Sequence, residues 1–160
     1  MKIRSRVQLR KSAKNKLMDE LTSTFGDTIE ELKNSKFETA LIDTFNVILI
    51  DGKLLLFSTD GEYFPTVRGA LELGLAKHIV IVDAGAVRVV VNGADIMCPG
   101  IVRADSKIKE GDLVIIKEET HEQPLAIGRA LVSGAAMVGE SGKATEWVHE
   151  VGYKMGKMEM

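Results

Sequence analysis

The 160-residue sequence predicts an α+β protein built from two small domains. Three observations carry that expectation. A helical stripe opens the chain, strand-like runs joined by Asp-Gly turns follow it, and from Lys77 onward short β-branched runs bounded by glycine take over. The change of texture places an N-terminal α+β meander module at residues 1–75 and a second domain at 76–160. A chain of this length buries about 70% of its unfolded surface, so it needs no disulfide or metal to hold a core.

In the first module Leu9, Ala13, Leu17 and Leu21 recur every fourth residue, with Met18 and Phe25 on the same face. This is a helical spacing, and Gly26 is placed to end it. Asp27 with Glu30 reads as a capping box opening a shorter helix. The runs FETALID, FNVILI and KLLLFS then predict strands, with Asp51-Gly52 as a tight hairpin turn and Asp60-Gly61 as another turn. A further helix begins near Thr66, behind Pro65, and stops at Gly74. The module is expected to set helices against a meander sheet.

In the second domain HIVIVD, GDLVIIKEE and PLAIGRALV predict strands. Their short lengths and glycine-bounded ends favour a small barrel or sandwich over a doubly wound sheet. The segment AGAVRVVVNGA supports two readings. Its β-branched residues suit a strand, whereas Ala86, Val89, Val90 and Gly93 share one helical face, with Asp83 available as its cap.

Composition narrows the function. Hydrophobic residues make up 45% and charged residues 28%, ordinary globular proportions. The net charge of −2 conceals a run of Lys2, Arg4, Arg6, Arg10, Lys11, Lys14 and Lys16 with no acid among them, either a solvated helix face or a meeting point for an anionic partner. Cys98 is the only cysteine, which excludes an internal disulfide and a thiolate-rich zinc site and points to a cytoplasmic address. No apolar segment of the signal-peptide kind follows the basic start. The longest aliphatic stretch, Ile79 to Val91, is broken by Asp83 and Arg88, so no membrane span is expected.

Catalytic motifs fail on inspection. GAAMVGES imitates a phosphate-binding loop, but Glu140 stands where a lysine must meet the phosphates. His121-Glu122 and His149-Glu150 start like zinc-protease motifs without the second histidine. The acidic pairs Asp19-Glu20, Glu30-Glu31 and Glu118-Glu119 read as solvated charges. No enzyme activity, cofactor or metal is therefore expected.

Several segments in fixed order do resemble a known pattern. They are Asp83-x-Gly85-Ala86, Gly93-Ala94-Asp95-x-Met97-x-Pro99-Gly100-Ile101, Gly111-Asp112, Ala126-x-Gly128-Arg129-Ala130, and Gly142-Lys143-Ala144 ahead of His149. Together they resemble the pseudouridine synthase and archaeosine transglycosylase (PUA) domain, an RNA-binding β pseudo-barrel with short helices. FPTVRGALELG ahead of it resembles the junction in the malignant T-cell-amplified sequence proteins and their archaeal relatives, which place an α+β module before the PUA domain. The resemblance implies a translation-linked RNA-binding protein; eukaryotic members handle tRNA on the small ribosomal subunit with density-regulated protein. It also implies that Gly85 to Asn92 form a helix. The family closes the domain with an acidic residue and a bulky aromatic, where this chain reads His149-Glu150-Val151-Gly152-Tyr153, so the register there is open.

The same resemblance puts the helix-to-strand region in the RNA-facing groove, with Gly93, Ala94, Asp95, Met97, Pro99 and Gly100 as its wall. Glycine lets a backbone approach a ligand closely and proline fixes the local φ, so main-chain amides of this corner are expected to face RNA oxygens. Arg88 and Arg103 are candidate phosphate contacts, joined by Lys77 and Lys143. Cys98 is expected to pack in the core and Trp147 to anchor it. With aromatics at 5%, recognition of a structured RNA (tRNA or rRNA) by shape and backbone fits better than serial base stacking. Two roles follow: a non-enzymatic binder of structured RNA such as the tRNA acceptor end, linked to initiation or the ribosome, or an accessory subunit of an RNA-modification enzyme. The N-terminal module is the expected contact for the small ribosomal subunit or a protein partner.

Overall fold

In the computed structural model, which describes residues 2–148, the strands form two separate sheets. Contacts divide the chain into two units, one ending at Leu75 and the other beginning at Ala76. The protein is a mixed α+β fold, as its sequence predicts.

The first sheet runs β1 (Ile3–Gln8), β2 (Phe37–Ile42), β3 (Phe45–Ile50), β4 (Lys53–Thr59) and β5 (Glu62–Pro65), each antiparallel to its neighbour. Both residues of Asp51-Gly52 and of Asp60-Gly61 have positive φ, between 51° and 83°. That is the turn whose twist matches a right-handed hairpin, and Asp or Asn followed by Gly tolerates it best. Helix α1 (Lys11–Phe25) buries Leu17, Leu21 and Phe25, and the Gly26 amide closes it on the Thr22 carbonyl at 2.7 Å. Phe25 meets Phe64 with ring centroids 5.6 Å apart. Helix α2 (Val67–Glu72) is capped by Thr66, whose buried hydroxyl accepts from the Gly69 amide at 2.9 Å and donates to the Leu54 carbonyl at 3.0 Å. Gly69 is required there, because a Cβ would sit 2.0 Å from the Leu55 oxygen.

The second unit contains β6 (Ile79–Val82), α3 (Ala84–Val91), β7 (Ile96–Met97), a 3₁₀ turn (Cys98–Gly100), β8 (Ile101–Ala104), β9 (Leu113–Glu118), β10 (Pro124–Ala130), α4 (Gly134–Met137) and β11 (Lys143–Trp147). Its sheet order is β7-β11-β10-β9-β6-β8, with β6 parallel to β9 and the other pairs antiparallel. Residues from both outer strands, Ile96 and Ile101, enter one core with Val80, Val82, Val114, Ile116, Ala126, Ala144 and Trp147. Ends of a sheet that share a core have curled toward each other, which is the pseudo-barrel. Cys98 lies in the same core.

The ambiguous segment is helical. Asp83 accepts the Ala86 amide at 2.9 Å, and Val90 is fully buried. A cap and a buried anchor outweigh β propensities of a few tenths of a kcal/mol per residue.

Other expectations require correction. Residues 3–8 pair with β2 as an edge strand, so the basic run is split between strand and helix. Arg6 instead bridges Glu38 at 2.8 Å, and Arg4 donates to the Asp43 carbonyl at 2.8 Å. Leu9 precedes α1 and Ala13 is exposed, which shortens the apolar stripe to its C-terminal half. Asp27–Leu32 is a 3₁₀ helix led by Gly26, with no side-chain capping bond, so the capping box is not formed. Glu118 is not a free surface charge: its carboxylate accepts the amides of Thr120, His121 and Gln123. The expected close of the domain at His149–Tyr153 lies outside the described residues.

Candidate nucleic-acid interface

A groove of about 290 Å³ opens between α3 and the segment that follows it. Asp83, Gly85, Ala86 and Val89 line one side; Asp95, Ile96, Met97, Pro99 and Gly100 line the other. Its width is set by backbone. The Gly100 carbonyl accepts the Asp83 amide at 3.0 Å, docking the 3₁₀ turn against the start of α3. A Cβ on Gly100 would come within 3.1 Å of the Ala86 methyl, so glycine permits this approach. Pro99 stiffens the same turn.

Gly93 has a different task. Its φ of 82° turns the chain out of α3, and a Cβ there would press within 3.1 Å of the Trp147 ring. The amides of Gly93, Ala94 and Cys98 bond to the carbonyls of Val90, Val89 and Gly142 at 3.0, 3.1 and 2.8 Å. These donors hold the protein together instead of facing outward, contrary to the expectation that the corner would offer them to RNA. The corner supplies shape.

The groove is mostly apolar, with Val89 42% and Met97 47% exposed. Two carboxylates border it, and both are engaged. Asp83 caps α3, while Asp95 accepts the Trp147 amide at 3.3 Å and lies 3.4 Å from the Lys143 ammonium. Lys143 stands opposite Met97 in the β7–β11 ladder, which places it at the rim. Arg88 is exposed on α3. The slot thus combines an apolar lining with carboxylate acceptors at its edge and the Lys143 ammonium at its rim. Duplex phosphates would require a denser row of cations.

The structure thus gathers Asp95, Met97, Pro99, Gly100 and Lys143, with Gly93 and Ala94 on the adjoining turn. Arg103 and Lys77 are elsewhere. Arg103 lines a separate hollow of about 370 Å³ with Ala76, Ile79, Ile81, Asp105, Lys117 and Glu122, and bridges Glu122 at 3.4 Å. Lys77 precedes β6, whereas Asp83 follows it, a separation on the order of 20 Å along an extended chain. In that hollow burial lowers the Lys117 pKa, and the amides of Lys107 and His78 hold the Asp105 carboxyl below the usual range. Asp83, Gly85, Ala86, Val89 and Ile96 complete the groove and were not among the sequence candidates for the site. The helical spacing of Ala86 and Val89 was the signal that could have found them. Among the described residues no group of histidine, cysteine and carboxylate side chains could hold a metal ion, and no helix is long and apolar enough to cross a membrane.

Comparison with known proteins covers both units. Residues 1–73 match the Pre-PUA-like domain and residues 78–151 the PUA domain. An uncharacterized protein of Methanocaldococcus jannaschii is 39% identical, the match spanning 97% of each chain. Translation machinery-associated protein 20 of Saccharomyces cerevisiae is 29% identical over 94% of this chain and 90% of its own. Malignant T-cell-amplified sequence 1 of Danio rerio is 28% identical over 74% and 68%. A crystal structure of a hypothetical protein from Pyrococcus horikoshii superposes with a TM-score of 0.83 at 35% identity, covering 91% of this chain and 93% of that one.

Proposed function

Since the chain belongs to the family that joins a Pre-PUA-like domain to a PUA domain, with the translation machinery-associated and malignant T-cell-amplified sequence proteins as relatives, we propose that it binds RNA in translation and holds the unpaired end of a structured RNA, such as the tRNA acceptor end, in the α3 groove. The observation that carries this reading is the groove itself. It is an apolar slot bordered by Asp83 and Asp95, with Lys143 at the rim and Arg88 on the bordering helix. A ribose and base bury their faces against Ala86, Val89, Met97 and Pro99. Asp95, already oriented by the Trp147 amide, is left to accept from a sugar hydroxyl or base N–H. Lys143 and Arg88 meet the flanking phosphates. The expected setting is the cytoplasm, on or near the small ribosomal subunit; the translation-associated names of relatives support a role in translation.

Fluorescence anisotropy with a stem-loop RNA carrying a single-stranded 3′ end tests the proposal. Phosphate contacts by Lys143 and Arg88 give a slope of log affinity against log salt of about −1.4, from about 0.7 per contact on single strands. Trimming the stem to a blunt end should weaken binding at this groove. Equal affinity for both RNAs in a chain lacking its N-terminal basic charges would remove the end-binding role.

A further inference from the structure

We propose that the N-terminal unit carries a second RNA-contacting surface, a basic patch of Arg10, Lys11, Lys33 and Lys36 that grips the phosphate backbone of a folded RNA. The patch is assembled by contacts between distant parts of the chain. The Lys14 ammonium donates to the carbonyls of Lys33 at 2.9 Å and Ser35 at 2.7 Å and lies 5.0 Å from the Phe37 ring centroid. The Leu9 amide bonds to the Phe37 carbonyl at 2.9 Å. These bonds lay residues 9–14 beside 33–37, so two stretches of cations share one surface.

Lys14 is thereby occupied in structure. Arg10, Lys11, Lys33 and Lys36 are exposed, and none forms an ion pair with a carboxylate among the described residues. Of the acids nearby two are engaged, while Glu30 and Glu31, just before Lys33, are exposed. Asp51 accepts the Lys36 amide at 2.8 Å, and Glu38 bridges Arg6. Nor do the charges serve the helix. The first turn of α1 carries no acid, Arg10 at its N-cap makes no side-chain capping bond, and cations at this end oppose the helix dipole. Arg10 and Lys11, kept at a cost to the helix and in no ion pair among the described residues, call for an external anion, and Lys33 and Lys36 extend the same surface.

The surroundings favour RNA over an acidic protein. Neighbouring side chains are Ser12, Asn15 and Asn34, and the exposed large hydrophobic residue next in sequence is a single valine, Val7 on β1. Protein interfaces bury an apolar centre, whereas phosphate contacts come from flexible cations on a wet polar surface. This inference rests on the reading that the chain binds RNA, but it uses none of the groove residues.

The test uses the full chain with Lys11, Lys33 and Lys36 each changed to glutamate, Lys14 being retained for its structural bonds. The probes are a fluorescein-labelled blunt RNA hairpin, a short single-stranded oligoribonucleotide and poly-glutamate. The triple variant should bind the hairpin roughly tenfold or more weakly, with the salt slope reduced by about 2 to 3, at about 0.7 to 0.9 per lost contact. Its affinity for the single strand should be unchanged. Met97→Glu should do the reverse, so a failure of the groove and a failure of the patch read differently. If charge reversal perturbs the circular dichroism, the Lys→Gln triple variant reports the same slope change. A hairpin slope and affinity unaltered in both variants would overturn the proposal. So would poly-glutamate displacing the hairpin and binding more tightly through the same lysines, which would assign the patch to an acidic protein.

Discussion

The two units build their sheets by different routes. From β2 to β5 the first unit pairs each strand with the next one in the chain, through turns of a few residues. The second unit pairs β7 with β11 and lays β6 between β8 and β9, so neighbours in space are far apart in sequence. Local pairing leaves little irregular backbone. Non-local pairing forces the chain out of the ladder between β6 and β8, and that excursion, α3 with the Cys98–Gly100 turn, is where the groove forms. The first unit instead exposes the cations Arg10, Lys11, Lys33 and Lys36. Shape and charge are divided between the units.

The largest expected effects test whether the units are separately fragile. Gly69→Ala forces a methyl onto the Leu55 carbonyl, and Gly134→Ala forces one to within 1.9 Å of the Asp105 carbonyl. Each should cost about 3 kcal/mol, in the range of overpacked sites. Hydrogen exchange should show α2 and β4 loosening in the first variant, and α4 with β8 in the second. Next comes Met97→Glu. An exposed side chain bears little on folding, so the melting temperature should hold while affinity for a single-stranded RNA end falls about tenfold, or ~1.4 kcal/mol. Asp83→Ala removes the α3 cap and should cost about 1 kcal/mol, with faster exchange at the Ala86 amide.

The smallest effect concerns acid. Asp105 and Glu118 in the second unit, and Glu38 and Asp51 in the first, are all held below the ordinary carboxylate range. The leading causes are the Lys107 amide for Asp105, the Gln123 amide for Glu118, the Arg6 guanidinium for Glu38 and the Lys36 amide for Asp51. A depressed folded pKa stabilises the protein fully above the unfolded value near 4 and loses that contribution as pH falls through the folded one. Denaturant midpoints should therefore be level from about pH 7 to 5 and decline below about pH 4. Asp105→Asn should shallow the decline in the second unit alone, as followed by its exchange-protected amides.

How far the sequence spoke for itself depended on how local each signal was. Asp51-Gly52, Asp60-Gly61 and the Thr66 cap announce themselves within a few residues, and each forms where expected. Residues 3–8 become a strand only because β2 offers an edge, a partner some thirty residues away that no window around IRSRVQ contains. Asp27 and Glu30 had the right spacing for a capping box, but Gly26 turned the chain into a 3₁₀ helix instead. In the groove, Pro99 and Gly100 were visible as a corner and Met97 as its neighbour. Arg103 looked adjacent because it follows closely in sequence, yet β8 carries it along β6 into another hollow beside Glu122. The fate of the Gly93 amide depended on its bond to Val90, which composition does not reveal.

The central claim is that an RNA end sits between α3 and the Pro99-Gly100 turn. A methyl and amide NMR titration of the full chain with a short 3′-terminal oligoribonucleotide tests it most directly. The account predicts saturable shifts at the Ala86, Val89 and Met97 methyls and the Gly100 amide, with Arg103 and Glu122 still. Shifts centred on the Arg103–Glu122 hollow, with Val89 and Met97 unmoved at saturation, would contradict it.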